Sequence, residues 1–103
     1  MLDELAVQCH NIAVAHGFWE DCENPIDPVW ALSRCMLITT EVAELAEEFR
    51  KLDFDLNPVA EEMADIIIRV MDMATSIGVS LDMAVEAKMK KNRNRPYKHG
   101  KQA

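Results

Sequence analysis

The sequence predicts an all-α domain: four helices with short connections, packed as a four-helix bundle-like unit and assembled into an oligomer. Three observations carry that prediction. Apolar residues recur every three to four positions rather than alternating, which is the period of a helix and not of a strand. Asp27-Pro28 and Asn57-Pro58 each set a capping side chain ahead of a proline, and proline at the first helical position gives up an N–H that has no partner there. Seven methionines against three phenylalanines, two tryptophans and one tyrosine, with only three glycines in 103 residues, suit helices better than sheets.

The first helix is expected over residues 2–16, where Leu2, Leu5, Ala6, Cys9, Ile12, Ala13 and His16 mark one face and Gly17 stops it. GFWEDCENPID then reads as a loop. The second helix runs from the Asp27-Pro28 signal to about residue 52, with Ala31, Cys35, Ile38, Val42, Leu45, Ala46 and Phe49 as its main apolar face. LDFDLN is a turn. Asn57 caps the third helix, which reaches Ile77 before Gly78 ends it. Ser80 caps the fourth, with Asp82 favourable to its dipole, and Pro96 limits it to about residue 94. PYKHGKQA is read as an irregular tail. Met63, Ile66, Ile67, Val70, Met71, Met73, Ala74 and Ile77 cover about half the circumference of the third helix at 100° per residue. An arc that wide implies burial against several helices, including those of a second subunit.

The chain fits one domain over residues 1–103, with half its residues apolar. No apolar run reaches the roughly 18 residues that cross a membrane, and MLDELAVQCHN is too acidic for a secretory signal. Cys9, Cys22 and Cys35 are odd in number and lack CxxC spacing, which favours small core residues in a reducing cytoplasm over disulfides or a zinc ribbon. The net charge of −7 hides an asymmetry: residues 1–87 carry all 18 acidic side chains and four basic ones, whereas residues 88–103 carry seven basic side chains and no acidic one. A basic end of this kind binds nucleic acid, holds a phosphate ligand, or neutralises the acidic body. The acidic body repels a long polyanion, which favours a small metal-complexed phosphate over nucleic acid.

Glu41, Glu44 and Glu48 lie together beside the apolar face of the second helix, in the same sector as Trp30 and Leu37. Glu62 and Asp65 project from one side of the third helix on successive turns. Two acid-x-x-acid pairs that border the core seam can converge on a divalent cation, and hard oxygen ligands suit Mg²⁺, with Mn²⁺ as a substitute. One such pair alone is usually a solvated face; Glu47 and Glu61 point outward and read that way. Lys88, Asn92 and Arg95 continue the face of Leu81, Ala84 and Val85, so they are expected to point inward, where phosphate oxygens or the acidic helices would partner them. His16 extends the apolar stripe of the first helix, as a hydrogen-bonded structural residue or as a substrate contact. Trp19 and Trp30 are core or interface residues, or platforms on which a nucleobase stacks.

TEVAELAEEFRK followed by EEMADIIIRVMDMATSIGVSLDMAVEAKMKKNRNRPYKHGK resembles the MazG-like nucleoside triphosphate pyrophosphohydrolases of the all-α NTP pyrophosphatase superfamily. The likeness covers residues 37–101, and the HGFW loop more loosely. Each motif is weak alone, while their order and the KxxxNxxRP ending are specific. The resemblance implies Mg²⁺-dependent cleavage between the α and β phosphates, giving a nucleoside monophosphate and pyrophosphate. It implies Glu41, Glu44, Glu62 and Asp65 as metal ligands, with Glu41 or Glu44 also orienting the attacking water. It implies Lys88, Asn92 and Arg95 as contacts to the triphosphate, leaving base recognition to His16, Trp19 or Trp30. Family members form dimers or tetramers. Thr40 stands where some members have a further Glu, which bears on how additional metal ions are held. The rival within the superfamily acts on phosphoribosyl-ATP. The rival from another class is a non-catalytic helical interaction module with a basic tail, which predicts no metal dependence. A di-iron bundle is disfavoured, because neither helix carries the Glu-x-x-His pair.

Overall fold

Aspartates set where the two long helices begin. In the computed structural model, which describes residues 1–96, Asp27 accepts a hydrogen bond from the Val29 N–H at 2.9 Å and opens α2 (Pro28–Arg50). Asp55 accepts from the Asn57 N–H at 3.0 Å and opens α3 (Leu56–Ile77). The expected cap at Asn57 is therefore corrected by two residues. Pro58 still sits in the first turn, where an N–H has no carbonyl to meet. α2 ends at Arg50, short of the expected residue 52. Among the described residues two shorter helices, α1 (Leu2–Ala15) and α4 (Leu81–Arg93), complete the fold, and there is no strand.

Two glycines steer the chain between helices. Gly17 takes φ 80°, with Gly17 N–H bonded to the Val14 carbonyl and Phe18 N–H to that of Ala13 at 3.0 Å. This six-to-one closure turns the chain back, so Phe18 and Trp19 return over the helices. Gly78 does the same at φ 75° with Val79 N–H on Ala74, and Ser80 then caps α4 by accepting from Met83.

α3 is the centre: α1 packs on one side of it and α2 on the other. α4 makes only slight contact, through the start of α1. There the helix N-termini exchange carboxylates. Asp82 accepts from the Leu2 and Asp3 N–H groups at 2.8 and 3.2 Å, while Asp3 accepts from the Asp82 N–H and the Ser80 hydroxyl at 3.1 and 2.6 Å. Each acid satisfies donors that a helix start leaves unpaired and faces the positive end of the other dipole. The Asp82 carboxyl is held down to about 2 by its hydrogen bond to the terminal amine, with the two backbone N–H groups adding to it.

The apolar core is thin. Among the described residues Ala6, Val59, Met71 and Ala74 are the buried apolar ones, and no large side chain is fully enclosed. The radius of gyration is 16.2 Å, against about 13 Å for a compact domain of this length. The wide arc of α3 is half used: Met71 and Ala74 are buried, but Met63, Ile67 and Val70 remain exposed. The apolar face expected for α2 is only partly covered: Ala31, Ile38 and Leu45 are half-buried. Cys35, Val42, Ala46 and Phe49 are exposed, while Trp30, Arg34, Leu37, Glu41, Leu45 and Glu48 form the covered stripe. Within one chain, α2 turns its charged side to α3 because Arg69 and Glu41 meet across that seam. Cys35 is thus not a core residue. The irregular tail expected from Pro96 lies, from residue 97 onward, outside the described residues.

Candidate metal and nucleotide site

On α3 the residues 62, 65, 69 and 72 follow steps of three and four, so Glu62, Asp65, Arg69 and Asp72 line one face. On α2 the same spacing aligns Arg34, Leu37, Glu41, Glu44 and Glu48. Glu41 and Glu44 from α2 and Asp65, Arg69 and Asp72 from α3 line an open cleft of about 360 Å³, with Cys9, Ile12, Ala13 and Phe18 at its other end.

Glu41, Glu62 and Asp65 each bring a carboxylate oxygen within 4.8 Å of the others. Glu44 lines the same cleft. Burial raises the Glu62 carboxyl above its ordinary range, and the charges of Glu44, Asp65 and Glu41 push it further up. One Glu62 oxygen, Oε2, is shut off from water and has no hydrogen-bond partner. An orphaned buried carboxylate oxygen among other carboxylates fits a divalent cation bound by hard oxygen ligands. Glu48 is drawn away from the group by Lys51, whose Nζ lies 2.9 Å from it, and Glu47 pairs with Arg50 on the wet side. Glu61 is exposed, as expected.

Arg69 was not among the residues the sequence singled out. Its Nε donates to Glu41 Oε1 at 2.9 Å, and its guanidinium lies 4.9 Å from the centre of the Phe18 ring. It lines the acidic cleft. Asp72, also unforeseen, is 5% exposed. It accepts from His10 Nδ1 at 2.7 Å and from Trp19 Nε1 at 2.9 Å. A carboxylate facing the ring nitrogen can only accept, so His10 carries its proton on Nδ1. Behind this pair Arg34 is boxed by three rings, with centres 4.2 Å (Phe18), 4.4 Å (Trp19) and 4.7 Å (Trp30) from its guanidinium carbon, and it donates to the Phe18 carbonyl at 2.6 Å. Burial lowers its pKa. The signal for Arg69 and Asp72 was present in the sequence: extending the Glu62–Asp65 stripe by one and two further turns reaches both.

The remaining expected residues separate. His16 stands at the exposed rim of the cleft with Nδ1 donating to the Ile12 carbonyl at 2.8 Å. Trp19 and Trp30 do not line the cleft; their faces meet Arg34. Lys88, Asn92 and Arg95 are exposed and do not line it either. The inward face expected of α4 is corrected: the helix meets the bundle mainly through the start of α1, and Lys88, Asn92 and Arg95 stand exposed rather than turned toward the acidic helices.

The fold is all-α, and acidic side chains from consecutive helices meet in a cluster that could hold a metal ion. The MazG nucleotide pyrophosphohydrolase domain matches residues 32–99, well over half of the chain, and the chain belongs to that family. Neither a curated protein nor a solved structure matches it. No helix of the described residues is long and apolar enough to cross a membrane.

Proposed function

We propose that the chain is one MazG-like domain over residues 1–103 that hydrolyses nucleoside or deoxynucleoside triphosphates between the α and β phosphates, in a Mg²⁺-dependent reaction. The observation that carries this reading is the meeting of Glu41, Glu62 and Asp65 within 4.8 Å, with one buried oxygen of Glu62 unpartnered. Glu41, Glu44, Glu62 and Asp65 would hold the metal. When bound, Mg²⁺ supplies charge neutralisation of the phosphates and a more acidic water. Glu44, or an oxygen of Glu41 not used as a ligand, orients the attacking water and takes its proton. The water oxygen bonds to phosphorus, the P–O bond to the leaving pyrophosphate breaks, and the products are a monophosphate and pyrophosphate.

The apolar end of the cleft, formed by Ile12, Ala13 and Phe18, suits a nucleobase, with His16 at its rim. Trp19 and Trp30 support that end through Arg34 rather than offering a free face. Lys88, Asn92 and Arg95 are assigned to the triphosphate of a neighbouring copy's cleft, in a homo-oligomer that covers the exposed apolar faces of α2 and α3. The role is nucleotide-pool cleaning in the cytoplasm.

The test is a panel of NTPs and dNTPs with Mg²⁺ and product resolution. Monophosphate plus pyrophosphate supports the reading. Diphosphate plus orthophosphate defines a different reaction, turnover of phosphoribosyl-ATP alone selects the superfamily rival, and no turnover on any nucleotide selects the interaction module.

A further inference from the structure

We infer that Arg69 is a phosphate-binding residue of this cleft, holding Glu41 with one edge of its guanidinium and a nucleotide phosphate with the other. The inference rests on the nucleotide reading above and adds a residue to it. A cleft lined by Glu41, Glu44 and Asp65 repels a triphosphate unless fixed positive charge is present. Among the described residues, Arg69 is the lysine or arginine that lines it. Lys88, whose position suggested this role in the sequence, does not.

The chemistry of the side chain supports two simultaneous partners. Guanidinium carries five N–H donors in a planar fork. Nε serves Glu41 at 2.9 Å, and the hydrogen bonds of the described residues leave both terminal nitrogens without a protein acceptor. A purely structural ion pair would use the fork in two-pronged fashion on the carboxylate, which is the stronger arrangement. Here the pairing is single. The Phe18 ring, 4.9 Å from the guanidinium carbon, backs the group and limits its movement. The side chain remains one-third exposed, unlike Glu41 at 10%. Its position one turn beyond Asp65 sets it next to the acids that would hold the metal. A phosphate oxygen would thus meet a cation fixed by a metal ligand, with the two charges adjusting together.

The experiment measures binding of an α,β-imido deoxynucleoside triphosphate, the matching monophosphate and the bare nucleoside to the full chain with Mg²⁺, by calorimetry. For Arg69→Met the triphosphate analogue is expected to lose about ten- to a hundredfold in affinity, the monophosphate less, and the nucleoside nothing. A residue that only props up Glu41 would weaken Mg²⁺ binding measured without nucleotide in step with the triphosphate loss; that pattern, or an equal loss or no loss for all three ligands, overturns the inference. Arg69→Lys keeps a point charge but not the fork, so a loss confined to the triphosphate is expected there too; wild-type affinity in that variant overturns the two-edged assignment and decides the matter if Arg69→Met fails to fold. Wild-type protein that binds and cleaves nucleotides while Arg69→Met binds them equally well removes Arg69 alone. Wild-type protein that binds no nucleotide removes the proposed function and this inference with it.

Discussion

Asp72 ties the loop after α1 to α3, and removing its carboxylate should cost more than any other single change outside the apolar core. The side chain is 6% exposed and accepts from His10 at 2.7 Å and Trp19 at 2.9 Å. Asp72→Ala deletes two hydrogen bonds to an ionised acceptor and leaves an indole N–H and an imidazole N–H without partners. At roughly 1.5–3 kcal/mol for each bond to a charged group, the loss is about 3–6 kcal/mol. That is a large part of the 5–15 kcal/mol or so that holds a small domain together, and it lowers Tm by well over about 10 °C. Asp72→Asn tells the two contributions apart. Its amide oxygen, placed at the Oδ1 position, still accepts from both His10 and Trp19, so both bonds survive without the charge at a cost of about 1 kcal/mol. Urea unfolding followed by tryptophan fluorescence and by circular dichroism measures both. Equal effects of Ala and Asn, or a cost below about 1 kcal/mol for Ala, would refute the reasoning.

Other outcomes follow from the same geometry. Asp65→Asn should abolish turnover with the circular dichroism spectrum unchanged, and Glu62→Gln should do the same while raising Tm in metal-free buffer, since it removes a charge that burial and three neighbouring acids disfavour. Millimolar Mg²⁺ should raise Tm of the wild type and not of Glu62→Gln, because a ligand of the folded state stabilises it. The Asp82 carboxyl is depressed from 3.8 to about 2, so its contribution is complete above about pH 4 and fades as pH falls toward 2; the Tm gap between wild type and Asp82→Ala should close over that window. Tm should rise with protein concentration if a second copy covers the exposed apolar faces, and a value constant over a hundredfold dilution, with a monomer mass by light scattering, would remove the oligomer.

Local signals were legible where a cause and its effect lie within one turn of chain. Asp27-Pro28, Gly17, Gly78 and Ser80 act on backbone groups two to five residues away, and each does in the structure what its chemistry prescribes. The carboxylate pairs were legible because helical spacing alone aligns Glu41 with Glu44 and Glu62 with Asp65. What failed was choosing the buried side of α2. Periodicity reports that a helix has an apolar face, not what covers it, and Val42 and Phe49 face away from α3 although they belong to the most regular apolar stripe. Arg69 and Asp72 were missed for a related reason. Their partners lie 28 residues away at Glu41 and 62 at His10, distances over which sequence spacing carries no geometry. α4 was misjudged because its direction off the bundle depends on the Asp3–Asp82 exchange, which no helix-face argument contains.

The charged seam also explains why so little of this chain is buried. A helix whose covered stripe interleaves Arg34, Glu41 and Glu48 with Trp30, Leu37 and Leu45 gives up part of the apolar contact along the line where α2 meets α3, and a carboxylate cluster there adds repulsion. Glu41–Arg69 and the ring-boxed Arg34 offset part of that cost, but they are directional contacts and fix side chains more than they stabilise the fold. Large apolar residues of α2 lie outside the covered stripe, Val42 and Phe49 on its flank and Leu32 and Met36 on the far side, all exposed. If a second copy covers these residues, site and assembly would be linked by one choice of helix rotation: turning the acids inward turns Val42 and Phe49 outward. Covering those residues with another copy would stabilise the rotation that keeps Glu41 beside Glu62 and Asp65. Any substitution that weakens the outer stripe should then reduce metal binding as well as association, although it touches no carboxylate.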